Sequence, residues 1–260
     1  SLQNYAQARL AGESASAVVM DIETGELRCI ASAPTFDPNQ FVRGISVQNW
    51  TELNEDPYRP LAAKAFQGTY PPGSTYKMIV ALAALEAGVV APEETIYCPG
   101  FVDVGETRFH CWKRGGHGNM NLHESLKQSC DCYYYEISQR VGIDKISAMA
   151  RKLGLGIKHD VPLSAVASGL APDKEWKTTV RGEDWRIGDT VNASIGQGYV
   201  LSSPLQLAVM AARLATGREV KPRLVRSIDG VEEPSGIGAP LDINENMLRR
   251  VRQAMAAVSN

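Results

Sequence analysis

Tyr70-Pro71-Pro72-Gly73-Ser74-Thr75-Tyr76-Lys77 is the most informative octapeptide of the chain. Its Pro-Pro-Gly run stops any extended segment, and the residues after it predict a helix from Ser74 to Ala87. Met78, Leu82 and Leu85 form one apolar stripe, small alanines permit close packing, and Gly88 suits a left-handed C-cap. At i and i+3, Ser74 and Lys77 share one face a turn apart, so the amine can reach the hydroxyl. A serine hydroxyl is a weak nucleophile until a base takes its proton. A lysine can be that base only where burial or a cationic neighbour favours its neutral form. The first-turn amides beside Ser74 favour developing negative charge. The same spacing also fits an ordinary helix start with a solvated lysine, so the pair needs company.

Ser129-Cys130-Asp131 supplies it. It lies inside a second predicted helix, Leu122 to Val141, ending at Gly142. Its serine can pass a proton between a lysine and a departing group, and its carboxylate can bond the lysine and a substrate backbone. Alone, it would read as polarity on a helix surface.

Outward from these two motifs, Ser16 to Ala33 predicts a pair of strands around Thr24-Gly25. Residues 44 to 72 are polar and irregular, and residues 93 to 118 are glycine-rich loop or short strand. Ile143 to Leu153 predicts a helix ending at Gly154. Ser203-Pro204-Leu205-Gln206 opens the clearest helix, with Ser203 as cap, Pro204 first inside and Gln206 reaching back; it runs to Ala215 or Thr216. Val220 to Ile228 is strand-like before an Asp229-Gly230 turn, and Asn244 to Val258 predicts a final helix. Trp176 and Trp185 mark residues 156 to 190 as an ordered loop.

The 260 residues are 44% hydrophobic and 22% charged, the composition of a packed protein. With 27 Lys+Arg against 29 Asp+Glu, a general nucleic-acid binder is disfavoured. The longest apolar run, Met78 to Ala87, contains Glu86 and is far short of the ~18 residues that span a bilayer. No signal segment opens the chain, so any anchor is expected outside it.

Five cysteines exclude complete intrachain pairing. Cys98, Cys111, His117 and Cys130 have the spacing C-x12-C-x5-H-x12-C, and three thiolates with one imidazole form a structural zinc set. Cys98-Pro99-Gly100 and Gly115-Gly116-His117-Gly118 place ligands on turns that can converge. On a helix Cys130 points about 100° from its neighbours, away from the face of Ser129 and Asp131, so a metal there would brace the motif from behind. A Cys98–Cys111 disulfide and unpaired buried thiols are the alternatives. Cys132 is expected to point away, Cys29 to be core, His110 to be a reserve ligand, and His123 and His159 to lie on the surface.

Tyr70 to Lys77 resembles the active-serine motif of high-molecular-weight penicillin-binding proteins, and Ser-x-Asp resembles their second signature. The resemblance continues through residues 33–39, Gly116-His117-Gly118, residues 131–135, residues 185–190 and Gly196-Gln197-Gly198-Tyr199. It covers about residues 15 to 258, where the chain looks like the penicillin-binding protein 2 group, of class B and elongation type. It implies an α/β (α+β) serine transpeptidase fold, related to β-lactamases: a five-stranded antiparallel sheet flanked by helices, with the serine starting a central helix. The family's third motif, Lys-Thr-Gly on a strand, is absent; Lys177-Thr178-Thr179 lies in the tryptophan-bearing loop and is no substitute. One transpeptidase domain over residues 1–260, truncated before that strand, is therefore expected. Some members carry zinc on Asp, Asp, His and Cys in this region, and here Cys98 and Cys111 would stand where the carboxylates are.

The resemblance implies a D,D-transpeptidase acting on peptidoglycan stem peptides and acylated by β-lactams. Ser74 would be the nucleophile, Lys77 the base, Ser129 the relay, and Asp131 the group that holds Lys77 and the donor peptide. The Ser74 N–H would supply half an oxyanion hole. It also implies a membrane glycosyltransferase partner and the periplasmic face of the inner membrane. Two alternatives remain at this point. A β-lactamase needs a deacylating glutamate, and the nearest string, Glu52-Leu53-Asn54, has the wrong spacing. A non-catalytic zinc-braced binding module is the other.

Overall fold

The computed structural model describes residues 1–259. A short helix α1 (Leu2–Arg9) leads into strands β1 (Ala15–Met20) and β2 (Leu27–Ala33). These pair antiparallel with Ala17 opposite Ala31 and Val18 opposite Ile30. Asp21 sets the turn by accepting from the backbone N–H groups of Glu23 and Thr24. Helix α2 (Val47–Glu55) follows, then α3 (Lys77–Glu86). Next come β3 (Ile96–Cys98), β4 (Phe101–Val104), β5 (Thr107–His110) and β6 (Gly118–Met120). Helices α4 (Leu122–Lys127), α5 (Asp131–Val141), α6 (Ile143–Lys152), α7 (Lys174–Trp176), α8 (Ile187–Ser194) and α9 (Pro204–Thr216) form the body. The chain continues through β7 (Arg218–Val220), β8 (Ser227–Ile228), β9 (Val231–Glu232) and β10 (Ile237–Pro240) to α10 (Glu245–Ala256).

The core is built on α3. Ile79 through Leu85 are all buried, and the helix packs against α5, α6 and α10. A helix apolar on every side belongs in the middle of its domain. Each large aliphatic side chain there contributes about 1.5–3 kcal/mol by leaving water. Because α3 is held on several sides, Lys77 on its first turn is held with it.

Several expectations require correction. The single helix over residues 122 to 141 is two helices, broken at Gln128–Cys130, where Ser129 adopts a left-handed φ of 51°. Helix α2, capped by Ser46, lies in the stretch expected to be irregular. Helix α7 lies within the expected ordered loop and α8 begins in its last residues, closed by a box in which Asp189 accepts from the Arg186 N–H. The described residues hold five two-stranded antiparallel sheets where the resemblance implies one five-stranded sheet: β1–β2, β4–β5 and β8–β9 are hairpins, and β3–β6 and β7–β10 join strands farther apart in the sequence. His159 is buried, its Nε2–H donating to the Gly154 carbonyl at 2.8 Å. Among the described residues no helix is long and apolar enough to cross a membrane.

Candidate active site and metal-ligand cluster

Ser74 lies in a 3₁₀ turn, Gly73–Tyr76, that feeds directly into α3. First-turn N–H groups have no partner within the helix and are free to meet an acceptor. The turn is docked against the end of α8: the Gly73 N–H donates to the Gly196 carbonyl at 3.0 Å. Gly196 has φ +68°, and a Cβ on it would overlap the Gly73 carbonyl, so the approach requires glycine. The Gly196-Gln197-Gly198 segment thus fixes the loop that presents the serine.

One hydrogen-bonded chain joins the four residues. Ser129 Oγ donates to Ser74 Oγ at 2.9 Å. Lys77 Nζ donates to Ser129 Oγ at 3.0 Å, to the Ser129 carbonyl at 2.9 Å and to Asp131 Oδ1 at 2.6 Å. An ammonium has three donors, and here each meets an acceptor. Lys77 is 1% exposed, so it is held by these contacts and not by solvent. The helical spacing of Ser74 and Lys77 suggests direct contact; the structure joins them through Ser129 instead. The left-handed turn at Ser129 makes that bridge, since it directs both the hydroxyl and the carbonyl of one residue toward Lys77.

Asp131 is held from its other side. Its Oδ2 accepts from the Trp112 backbone N–H at 2.8 Å. Gly73, Ser74, Trp112, Ser129, Asp131, Ile195 and Gln197 line a cleft of about 390 Å³. A second groove of about 370 Å³ runs past Ser74 and Lys77 toward Met255 and Val258. A slightly larger recess, about 410 Å³ between α1 and β2, has no titratable side chain in its lining and no nucleophile-and-base pair. Lys177 is buried and bonded to Asp189 at 2.7 Å, away from either groove. Glu52, Leu53 and Asn54 lie on α2 and line neither.

Behind the cleft the donor atoms of Cys98, Cys111, His117 and Cys130 all lie within 4.8 Å of one another. Cys98 ends β3, Cys111 follows β5, His117 precedes β6, and Cys130 caps α5. Two glycines allow the turns to converge: side chains at Gly100 and Gly116 would overlap the carbonyls of Arg114 and Cys98. His117 Nδ1 lies 3.6 Å from Cys98 Sγ and 3.5 Å from Cys111 Sγ. Tetrahedral zinc with ~2.3 Å sulfur and ~2.0 Å nitrogen bonds separates those atoms by about 3.5 Å. The residues present therefore fit zinc in chemistry and spacing, with Nδ1 the atom turned inward. His117 Nε2 is buried without a partner. In this arrangement the five cysteines are unpaired. Hydrogen bonds from the Cys130 and Cys132 thiols drive the Cys111 thiol far below its ordinary value, and the same contacts with burial hold their own thiols above it.

Cys132 is expected to stay out of the ligand set, and it is buried on α5 and is not one of the four converging donors, although the angular reason for that expectation does not hold. The break at Ser129 starts α5 anew at Asp131, so the angular argument for a continuous helix does not apply. His110 is exposed and outside the cluster, its carbonyl accepting from Tyr135 Oη. His123 is exposed on α4 and Cys29 is buried in β2. Trp112 is the site residue that sequence reasoning missed; its adjacency to Cys111 was the available signal.

Residues 15–260 match the penicillin-binding protein transpeptidase domain. The chain is 39% identical over 238 residues to the peptidoglycan D,D-transpeptidase MrdA of Escherichia coli K12, covering 90% of this chain and 38% of that protein. Penicillin-binding protein 2 of Pseudomonas aeruginosa, solved with WCK 5153, superposes with a TM-score of 0.86 at 35% identity, covering 92% of this chain and 54% of that one. The Helicobacter pylori penicillin-binding protein 2, solved with MreC, gives a TM-score of 0.86 at 37% identity, covering 94% and 45%. The chain thus spans well under half the length of the curated relative and about half of the solved ones. With the α+β architecture shared and the match running through both the serine turn and the Ser129 turn, the chain belongs to the penicillin-binding protein transpeptidase family.

Proposed function

We propose that this chain carries the acylation site of a peptidoglycan D,D-transpeptidase of the elongation type, also the target of β-lactams. The observation that supports it most is the Ser129 hydroxyl bridging Ser74 Oγ and Lys77 Nζ. In the reacting direction the donors run the other way and Lys77 begins with two protons. Ser74 Oγ attacks the carbonyl of the penultimate D-Ala; its proton passes to Ser129 Oγ as Ser129 gives its own to Lys77 Nζ. The proton returns along the same path to the departing amine, the C–N bond breaks, and terminal D-Ala leaves an ester on Ser74. An amine of a neighbouring stem then attacks the ester and closes the cross-link. Asp131, anchored by the Trp112 N–H, keeps Lys77 aimed at Ser129. The intact protein should release D-Ala from a peptide ending in D-Ala-D-Ala, and a Ser74→Ala variant should not. Equal release by both would overturn the assignment.

The same reading places the protein at the periplasmic face of the inner membrane, its anchor outside these residues, working with a membrane glycosyltransferase. The MreC complex of the H. pylori relative supports membership in such an assembly. Zinc on Cys98, Cys111, His117 and Cys130 is structural in this scheme: it supplies folding energy and ties the β3, β5 and β6 turns to the start of α5. Protein purified without chelator should hold about one zinc per chain. Zinc-free protein with a Cys98–Cys111 disulfide would refute the site and leave the acylation chemistry standing.

A further inference from the structure

Trp112 is 63% exposed, yet it is anchored at several points. Its indole Nε1–H is shared between the carbonyls of Gln128 at 3.1 Å and Ser129 at 3.0 Å. Its backbone N–H holds Asp131, its ring lies edge-on to His117 at 5.3 Å, and its chain neighbour is Cys111. Exposure on this scale means that burial does not order the ring; the hydrogen bonds do.

The partner of the indole is the strained element of the site. Ser129 is one of four non-glycine residues with positive φ among the described residues, a conformation that persists only where neighbours hold it. Its carbonyl is gripped by two donors, Lys77 Nζ and Trp112 Nε1. Lys77 is also a reacting group whose charge changes during the cycle, and a neutral amine donates more weakly to that carbonyl than an ammonium does. The indole donor does not titrate and holds throughout.

We propose that Trp112 is a positioning residue for acylation: its indole N–H locks the Gln128–Ser129 turn so that the Ser129 hydroxyl stays between Ser74 and Lys77 while Lys77 gains and loses its proton. The inference rests on the acylation reading given above. It assigns Trp112 a role through Ser129, distinct from that of an aromatic wall contacting the substrate.

The test uses the intact, metal-replete protein and benzylpenicillin. Trp112→Phe keeps an aromatic ring and removes the donor. Replacing the indole at Trp112 by the isosteric benzothiophene of 3-benzothienylalanine removes the donor and little else, which guards against a packing defect in the phenylalanine variant. Both should lower the limiting acylation rate constant about tenfold, the loss expected of one hydrogen bond, with penicillin Kd changed less than about twofold. Zinc content should stay at the wild-type value, and a crystal structure of the benzothienyl protein should show Ser129 Oγ displaced from Ser74. Wild-type acylation rates in both variants, or a loss confined to Kd, would overturn the positioning role. If the wild-type protein takes up no penicillin on Ser74, the acylation reading fails, and the crystal structure judges the lock by itself: an unmoved Ser129 refutes it.

Discussion

Replacing Asp131 by asparagine removes one charge, but the geometry makes the loss larger than the charge alone suggests. The carboxylate uses both oxygens as acceptors, Oδ1 toward Lys77 at 2.6 Å and Oδ2 toward the Trp112 N–H at 2.8 Å. A carboxamide has one acceptor and one donor end. In either orientation its NH₂ faces a donor, Lys77 Nζ or the Trp112 N–H, and one bond is lost. A hydrogen bond to a charged group is worth about 1.5–3 kcal/mol, and solvent repays little of it where Lys77 is 1% and Asp131 11% exposed. Asp131→Asn should therefore cost about 2–3 kcal/mol, a fall of roughly 5–10 °C in Tm for a domain of this size. Asp131→Ala leaves Lys77 buried without its counter-charge and should cost about 3–5 kcal/mol. Thermal denaturation followed by circular dichroism gives the order wild type, Asn, Ala. The acylation rate by a fluorescent penicillin should fall in the same order, because Lys77 is then no longer aimed at Ser129. An asparagine variant that melts within about 1 °C of wild type and acylates at the same rate would refute the two-acceptor argument.

Three further outcomes are expected. Ser129→Gly and Ser129→Ala should both slow acylation by about 10²–10⁴-fold through loss of the proton relay, with the glycine variant melting higher because φ +51° costs it nothing; normal acylation by either would remove Ser129 from the relay. Gly196→Ala forces a methyl into the Gly73 carbonyl and should both lower Tm and slow penicillin uptake, whereas a variant with unchanged uptake would show that the contact does not position Ser74. Burial holds His159 below its ordinary value, so the unfolded chain binds the proton more readily, and its contribution is present above about pH 6.5 and lost as pH falls toward the depressed value. Denaturant titrations should then show wild type losing stability relative to His159→Gln below that pH, and a pH-independent difference would contradict the assignment.

The helix carrying Ser74 was legible because its signals are local: an apolar stripe, a Pro-Pro-Gly entry and a glycine exit. The same holds for α9, whose Ser203, Pro204 and Gln206 act at its N-terminus as the capping pattern implies. The split between α4 and α5 was not legible, because nothing within residues 127–131 breaks a helix. The left-handed Ser129 is held there by Lys77, 52 positions away, and by the Trp112 indole. The sulfur cluster was readable as residue types and spacing, and its four donors are the ones that converge. His159 could not be placed from the sequence, since its burial depends on the long-range packing of the loop around Gly154.

Mass spectrometry of the intact protein after incubation with benzylpenicillin bears most directly on whether Ser74 is the acylated nucleophile. A single added mass equal to the whole penicillin molecule, mapped to the peptide that contains Ser74 and absent from Ser74→Ala, is the expected result. An adduct that survives in Ser74→Ala, or that maps to a cysteine, would contradict it.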